Sequence, residues 1–468
     1  MTTTTGKTAP EILIIIVTWN KKPYVLELLA SLAKQDYPKL DILVIDNASN
    51  DGTVAAIKQS YPQVNLLCHS ENLGGTGGFN TGLQWAFEQP EGRYQYLWLL
   101  DNDVLVHHRA LPELVALLEN NPDIAVAGST MMQLDYPWQI NEMGAFLDHQ
   151  LGRLMLSRHL ERVPAWQGCS VQELLTIDTD LSKHLMHCLS YTDVEYVAAA
   201  SLLVRASVAK KAGLWRDYFI HFDDVEWCLR IRALGHRVVV SAKSLIWHLS
   251  AAAKIPTWVL YYDNRNVLDL FKTHGADAHS LQRLIRYILK KAVYYHLIGK
   301  PDLAQLHYDA LADFKTGNMG KKEIKLAHSY QKNTHIKPVF LNPAIKRVLI
   351  AWSVNLHATG IQGTLAQVQL QRPDLQIDCM ITPDGMAVYQ LPRTGFIRFS
   401  TFKLKRWFTY WQLRGRYDLI IQSDYKVVIG LSWLNSKLLF INDEFFCERP
   451  SPKFGDVWYA LKRWIRGK

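Results

Sequence analysis

The chain has 468 residues, 49% hydrophobic and 20% charged, which excludes a disordered or fibrous chain and, at about 100 to 200 residues per domain, calls for two or three domains. Its net charge of +9 hides two unlike halves: residues 1–200 carry 12 Lys and Arg against 23 Asp and Glu, and residues 201–468 carry 40 against 20. Six cysteines without paired spacing offer neither a disulfide framework nor a zinc site, and no run of about 20 apolar residues is present to cross a bilayer.

The opening MTTTTGKTAPE lacks the charged start and apolar core of a secretory leader, so residues 1–10 are expected as a flexible tail and the chain as cytoplasmic. From residue 11, apolar runs alternate with amphipathic stretches: ILIIIVT (12–18), YVLELLASLAKQ, DILVID (41–46), DGTVAAIKQ, NLLCH, GGFNTGLQWAFEQ and YLWLL. That alternation predicts an α/β domain with a mostly parallel sheet, where ligands gather at the carboxyl ends of strands. Thr18, Asn20, Asp46 and Asp101 to Asp103 fall at such ends. Residues 130–192 are irregular and read as loops covering one side of a site. A strand and short helix return in VEYVAAASLLVRASVAKKAGLW, with Gly213 as the helix stop. Residues 257–316 are helical in period, and 315–325 and 331–338 read as linker. A second, smaller α/β unit starts at RVLIAWSVN (347–355) and continues through TLAQVQLQRP, QIDCMIT, YDLIIQSD and KLLFIND. The expected division is a tail (1–10), an α/β domain (11–256), a helical extension and linker (257–345) and a small α/β domain (346–468).

Several stretches carry chemistry. In WLLDNDVLV (98–106), Asp101 and Asp103 flank one asparagine at a strand exit; they can aim at a hard divalent cation held by substrate phosphates, or simply close an Asx turn. The glycines of NLGGTGGFNTGLQWAF (72–87) let backbone amides approach an anion, although a tight strand-to-helix turn needs them equally. Their order is neither a Walker A loop nor a dinucleotide fingerprint. FDDVEW puts Asp223, Asp224 and Glu226 at a helix start, denser than capping requires; one carboxylate beside a hydroxyl can serve as a general base. His248 ends an apolar strand, a packed or surface residue unless Asp103 lies opposite it. TFKLKRWFTYWQLRGR (401–416) and VWYALKRWIRGK (457–468) interleave bases with aromatics, suiting either an anionic membrane surface or helices that pack their aromatics inward.

Taken in order, IIIVTWN, VIDNASNDGT, ENLGGTGGFNTGL, WLLDNDV, VAAASLLVRASVAKKAGLW, FIHFDDVEWCLRIRALGHRV and IWH resemble the family 2 glycosyltransferases, of the GT-A fold, from residue 11 to about 270. FDDVEW, WH and YYDNRN (261–266) look most like bacterial galactofuranosyltransferases, with rhamnosyltransferases next. The resemblance implies that Thr18 and Asn20 border a nucleotide and that Asp46 reads its uracil or thymine. Asn72, Gly74, Gly75, Asn80, Asp101 and Asn102 would complete the nucleotide-sugar site. It implies that Asp103, His248 and Asp101 hold Mn2+ or Mg2+, that Asp224 is the catalytic base with Asp223 its acidic neighbour, and that Trp247, Trp227 and Arg265 line the acceptor path. The implied reaction is inverting transfer of galactofuranose from UDP-galactofuranose, or of rhamnose from dTDP-rhamnose, onto a lipid-linked or polysaccharide acceptor. Its setting would be cell-surface glycan synthesis at the inner face of the plasma membrane, with peripheral membrane contact. The alternative class is a non-catalytic nucleotide-sugar or glycan-binding scaffold. Nothing resembles a nucleic-acid recognition motif. For residues 345–468 the resemblance gives no account.

Overall fold

Strand β1 (Ile12–Thr18) buries all of its residues but Val17, so it requires cover on both faces, as in a parallel sheet wrapped by helices. The computed structural model has that arrangement; it describes residues 9–150, 152–248, 258–324, 334–351, 361–381, 394–398, 400, 402–423, 438–442, 445–448 and 453–467. β1 pairs in parallel with β2 (Leu40–Asp46) and β4 (Tyr96–Asp101), and β2 with β3 (Asn65–Cys68). The crossovers are α1 (Lys22–Leu32), α2 (Thr53–Ser60) and α3 (Gly74–Phe87). Next come β5 (Val104–Val106), α4 (Ala110–Asn120), β6 (Ile124–Gln133), β7 (Ile140–Glu142), the hairpin β8 (Ala145–Asp148) and β9 (Arg153–Leu156), and the short α5 (Val171–Leu174). β10 (Tyr191–Asp193), β11 (Leu202–Arg205), α6 (Ala206–Ala212), α7 (Asp223–Ala233) and β12 (Arg237–His248) finish the sheet, ordered β10-β12-β6-β11-β4-β1-β2-β3. β11 runs antiparallel between β4 and β6, so the sheet is mostly parallel with one reversed strand inside.

One irregularity decides where the chemistry sits. β12 slips register against β6 between Ser241 and Leu245, and beyond the slip its last three residues pair antiparallel with β5, His248 opposite Val104. Ser244 Oγ bonds Ser129 Oγ (2.7 Å) and donates to the carbonyl of Ala110 (2.9 Å), so the bulge's buried hydroxyl is satisfied. A chain leaving β4 at Asp101 therefore turns through Asn102 and Asp103 and at once runs alongside the end of β12.

The chain divides into two compact units, Met1–Ser250 with Val259–Ile285 and Asp309–Glu323, and Ala251–Trp258 with Arg286–Tyr308 and Ile324–Lys468. The helices expected as a separate extension are shared out: α8 (Val259–Thr273) belongs to the first unit, whereas α9 (Ala278–Leu297) and α10 (Pro301–Thr316) each cross the boundary. Within the second unit, residues 334–338 of the expected linker lie in an edge strand β13 (Thr334–His335) and a short helix α11 (Ile336–Leu341). β14 (Arg347–Ile350), β15 (Gln376–Ile381), β16 (Thr394–Arg398), β17 (Leu419–Ser423) and β18 (Leu438–Asn442) pair in parallel, and β19 (Phe445–Glu448) pairs antiparallel with β18 and with the edge strand β13, in the order β13-β19-β18-β17-β14-β15-β16. Alternate residues of β14 face two layers. Val348 and Ile350 pack with Leu365 and Val368 of α12 (Ile361–Gln371), and Leu349 with Tyr410 and Leu413 of α13 (Lys403–Leu413). The last helix, α14 (Phe454–Arg466), stacks Arg463 over Tyr308. Among the described residues no helix is long and apolar enough to cross a membrane.

Candidate active site

The pairing of β5 with β12 sets His248 against the DND turn. His248 Nε2 lies 3.0 Å from Asp103 Oδ1 and 4.0 Å from Asp101 Oδ2. One ligand atom from each of the three falls within 4.8 Å of the others. Asp103 and His248 are nearly enclosed, while Asp101 is half exposed. Two carboxylates this close repel, and a dication between them removes the repulsion; an O,O,N donor set suits Mn2+ or Mg2+ with the open positions left to phosphate oxygens. The residues present therefore fit the metal that the DXD spacing suggests.

Beside this turn the residues expected around a nucleotide form a connected network. Asn102 Nδ2 donates to Thr18 Oγ1 (2.9 Å), so the buried Thr18, expected to border the nucleotide, holds Asn102 beside it. Asp46 is buried; its Oδ2 accepts from the Ser49 amide (2.8 Å), while its Oδ1 has no hydrogen-bond partner among the described residues. A buried acceptor left unsatisfied is costly, so a ligand donor at Asp46 Oδ1 would be stabilising. Asn20, held at φ 50°, accepts the Asn50 amide (2.8 Å) and donates its own N–H to Ser49 Oγ (2.9 Å). Asn47 and His69 are additions to the expected set: Asn47 donates to the Gly74 carbonyl (2.8 Å) and meets His69 Nδ1 (2.8 Å), whose Nε2 meets Thr81 Oγ1 (2.9 Å). Burial holds His69 below its ordinary pKa.

The glycine loop has a structural reason besides any ligand. Gly74 sits at φ 76°, and a Cβ there would fall 2.0 Å from the Phe219 carbonyl oxygen. Gly75 faces open space. Asn72 Oδ1 accepts from the Gly74 amide (2.8 Å) and shapes the turn. Asn80 is expected at the nucleotide sugar, but its amide bonds the Trp215 backbone in both directions (2.7 and 2.9 Å) and so ties α3 to the segment before α7.

At the start of α7, Thr76 Oγ1 donates to Asp223 Oδ2. Asp224 accepts from the Ala199 amide at Oδ2 (3.0 Å) and from the Val225 amide at Oδ1 (2.8 Å). Burial raises both carboxyls, Thr76 opposing the rise in Asp223; Asp224, with the charge of Asp223 beside it, is pushed up to about 7. Its field also includes Glu142 of β7, a buried carboxyl that burial pushes up to about 7. Nothing in the irregular stretch around Glu142 marks it in the sequence. The third carboxylate of the motif, Glu226, is a structural one: Arg230 one turn on donates to it at 2.8 Å.

The segment feeding Asp223 is strained. Phe219, His221 and Phe222 lie at φ 67°, 64° and 66°, a region costing bulky residues about 1–3 kcal/mol each. Asn266 Nδ2 donates to the carbonyls of Tyr218 (3.1 Å), Ile220 (2.8 Å) and His221 (3.0 Å), and Arg265 Nη2 to Tyr218 (3.0 Å). Arg265, expected on the acceptor path, is fully buried and spends its guanidinium on this clamp and on the Gly320 carbonyl (2.8 Å). The other two residues expected on the acceptor path are placed in the same way. Trp227 is buried with Nε1 on the Gly213 carbonyl, and Trp247 with Nε1 on the Pro137 carbonyl. Asn266→Ala is expected to cost about 1–3 kcal/mol of stability by stripping the Ile220 and His221 carbonyls of their side-chain donor, and to lower kcat more than it raises the donor KM; chemical denaturation and steady-state kinetics together check it.

Residues 13–163 match the family model described as Glycosyl transferase family 2. Galactofuranosyltransferase GlfT2 of Mycobacterium tuberculosis is 23% identical over 257 residues, 54% of this chain and 39% of the relative. Glycosyltransferase AglE of Haloferax volcanii is 30% identical over 234 residues, 49% of this chain and 64% of the relative. A solved structure of Staphylococcus aureus TarS 1-349 with UDP-GlcNAc aligns over 65% of this chain and 80% of that one at 17% identity and a TM-score of 0.41, too slight a likeness to bear on function. The chain spans about two fifths of GlfT2 and under two thirds of AglE. The stretch that carries the DND turn, residues 13–163, is thus similar to the family 2 glycosyltransferases.

Proposed function

We propose that the chain is a metal-dependent inverting glycosyltransferase that moves galactofuranose from UDP-galactofuranose onto a lipid-linked or polysaccharide acceptor presented at the inner face of a plasma membrane. The observation that carries this reading is the convergence of His248 on Asp101 and Asp103, which lie far from it in sequence, within 4.8 Å. A divalent ion held by them would neutralise the charge that develops on the departing diphosphate. The unpartnered oxygen of Asp46 suits the imide N–H of uracil or thymine. Asp224 takes the proton from an acceptor hydroxyl as that oxygen attacks the anomeric carbon opposite the leaving group. The new C–O bond forms as the bond to diphosphate breaks, and the configuration inverts in one displacement. A relative named for galactofuranosyl transfer favours that sugar; dTDP-rhamnose is the second donor to try. Incubation with each donor and Mn2+, read by product mass and by release of UDP or dTDP, tests the reading, and no transfer with either donor rejects this assignment.

The raised carboxyl of Asp224 fixes a pH dependence. Only the carboxylate accepts the proton, so kcat is expected to climb as pH rises through about 7. Glu142 contributes a like charge, and Glu142→Gln is expected to move that acidic limb to lower pH. The same exchange should stabilise the fold at pH 8 and not at pH 4. A buried acid with a raised pKa keeps its proton while the unfolded chain has lost it, so folding weakens as pH climbs from about 4 to about 7. Rate profiles and thermal melts at the two pH values check both statements.

A further inference from the structure

Helix α13 presents the wrong face to its domain. Leu404, Trp407, Phe408 and Trp411 recur at i, i+3, i+4 and i+7, the spacing of a stripe that normally seals a core, yet they are 73%, 51%, 58% and 63% exposed. The opposite side supplies the packing, through Tyr410 and Leu413 against Leu349 and Met380. Phe402, just before the helix, is also exposed, and Phe408 stacks on Trp411. Of the two arrangements the sequence allows, aromatics inward or outward, the second is found.

The charge around the stripe names its partner. From Asp384 to Asp418 the sequence contains no acidic residue and seven basic ones: Arg393, Arg398, Lys403, Lys405, Arg406, Arg414 and Arg416. Lys405 flanks the stripe, and Arg414 and Arg416 follow the helix end, all three exposed. Trp and Phe rings beside Leu, with basic residues as the only charged neighbours along this stretch of sequence, match the boundary between headgroups and acyl chains of an anionic bilayer, where rings sit among headgroups and guanidinium or ammonium groups meet phosphate. An aliphatic Leu404 at the most exposed point of the stripe favours lipid over the base-stacking platform of a nucleic-acid binder.

We infer that the Leu404–Trp407–Phe408–Trp411 face of α13 docks the protein on anionic lipid bilayers by interfacial insertion. It deepens the reading of a membrane-presented acceptor by naming the surface that brings the enzyme there, and it stands on residues outside the candidate active site. The test is co-sedimentation of the full chain with vesicles of phosphatidylcholine alone and of phosphatidylcholine with phosphatidylglycerol, across a salt series. Binding is expected only with phosphatidylglycerol, weakening as salt rises. Lys405→Gln with Arg414→Gln is expected to weaken it about 30-fold, two cations at about 1 kcal/mol each. Trp407→Ser with Phe408→Ser and Trp411→Ser is expected to weaken it about 100-fold or more while leaving circular dichroism and melting temperature unchanged. UDP release with a free acceptor in solution should be untouched in both variants, which separates failure of the docking surface from failure of the glycosyltransferase reading. Equal binding to both vesicles, undiminished binding of the triple variant, loss of a dimer instead of lipid affinity, or binding of an oligonucleotide with no lipid binding would each overturn the inference.

Discussion

Asp224→Asn is expected to lower kcat by about 1,000-fold while UDP affinity, measured calorimetrically with Mn2+, stays within about twofold. The amide keeps the shape that meets the Ala199 amide but cannot accept a proton from an acceptor hydroxyl. Because the carboxyl it replaces is raised to about 7 by burial and by Asp223, the variant should also melt higher than the parent at pH 8. Turnover at the parent rate would remove Asp224 from the role of base. A lower melting temperature at pH 8 would instead show that Asn at this position loses more in hydrogen bonding than it gains in relieved repulsion.

The second large effect concerns the ion. Asp103→Ala and His248→Ala are each expected to weaken Mn2+ binding in the presence of UDP by at least about 100-fold, seen as loss of the bound-Mn2+ signal in electron paramagnetic resonance titrations. Asp101→Ala should do so less, since its carboxylate is the more exposed and stands 4.0 Å from His248 where Asp103 stands at 3.0 Å. His248→Ala adds a diagnostic: with the imidazole gone the remaining donors are oxygens, so preference should tilt from Mn2+ toward Mg2+. Unaltered Mn2+ affinity in both Asp103→Ala and His248→Ala would show that the cluster is an ion pair and not a metal site.

Much of this was legible in the residues. Alternating apolar runs and helical stretches give the parallel sheet, and strand ends collect Asp46, Asp101 and Asp103 because loops leave a parallel sheet there. The burial of Trp227, Trp247 and Arg265, which the sequence did not announce, has a physical reason. Neighbours on a strand face opposite sides, so once His248 turns to the DND site, Trp247 must turn to the core. In α7, Trp227 takes the buried side needed to seat the helix on Gly213 and Trp215. Arg265 and Asn266 were opaque because their partners are backbone carbonyls some 45 residues earlier, in a strained loop that no local pattern announces. Glu142 hides in an irregular stretch where neither period nor motif points anywhere. In the C-terminal unit β14, β15, β17 and β18 were readable from their apolar runs, but the outward turn of α13 was not, since a stripe at helical spacing looks the same whether it meets a core or the solvent.

The sharing of α9 and α10 between the two compact units bears on dissecting the protein. A chain cut after residue 256, where the α/β pattern first pauses, would discard α8 and with it Asn266, leaving the Tyr218 to His221 carbonyls without their donor. A cut after residue 345 would keep both long helices yet strip Tyr308 of its Arg463 lid. Neither fragment inherits a finished surface, so limited proteolysis should yield few persistent intermediates, and loss of the C-terminal helix alone should be felt at Tyr308 in α10.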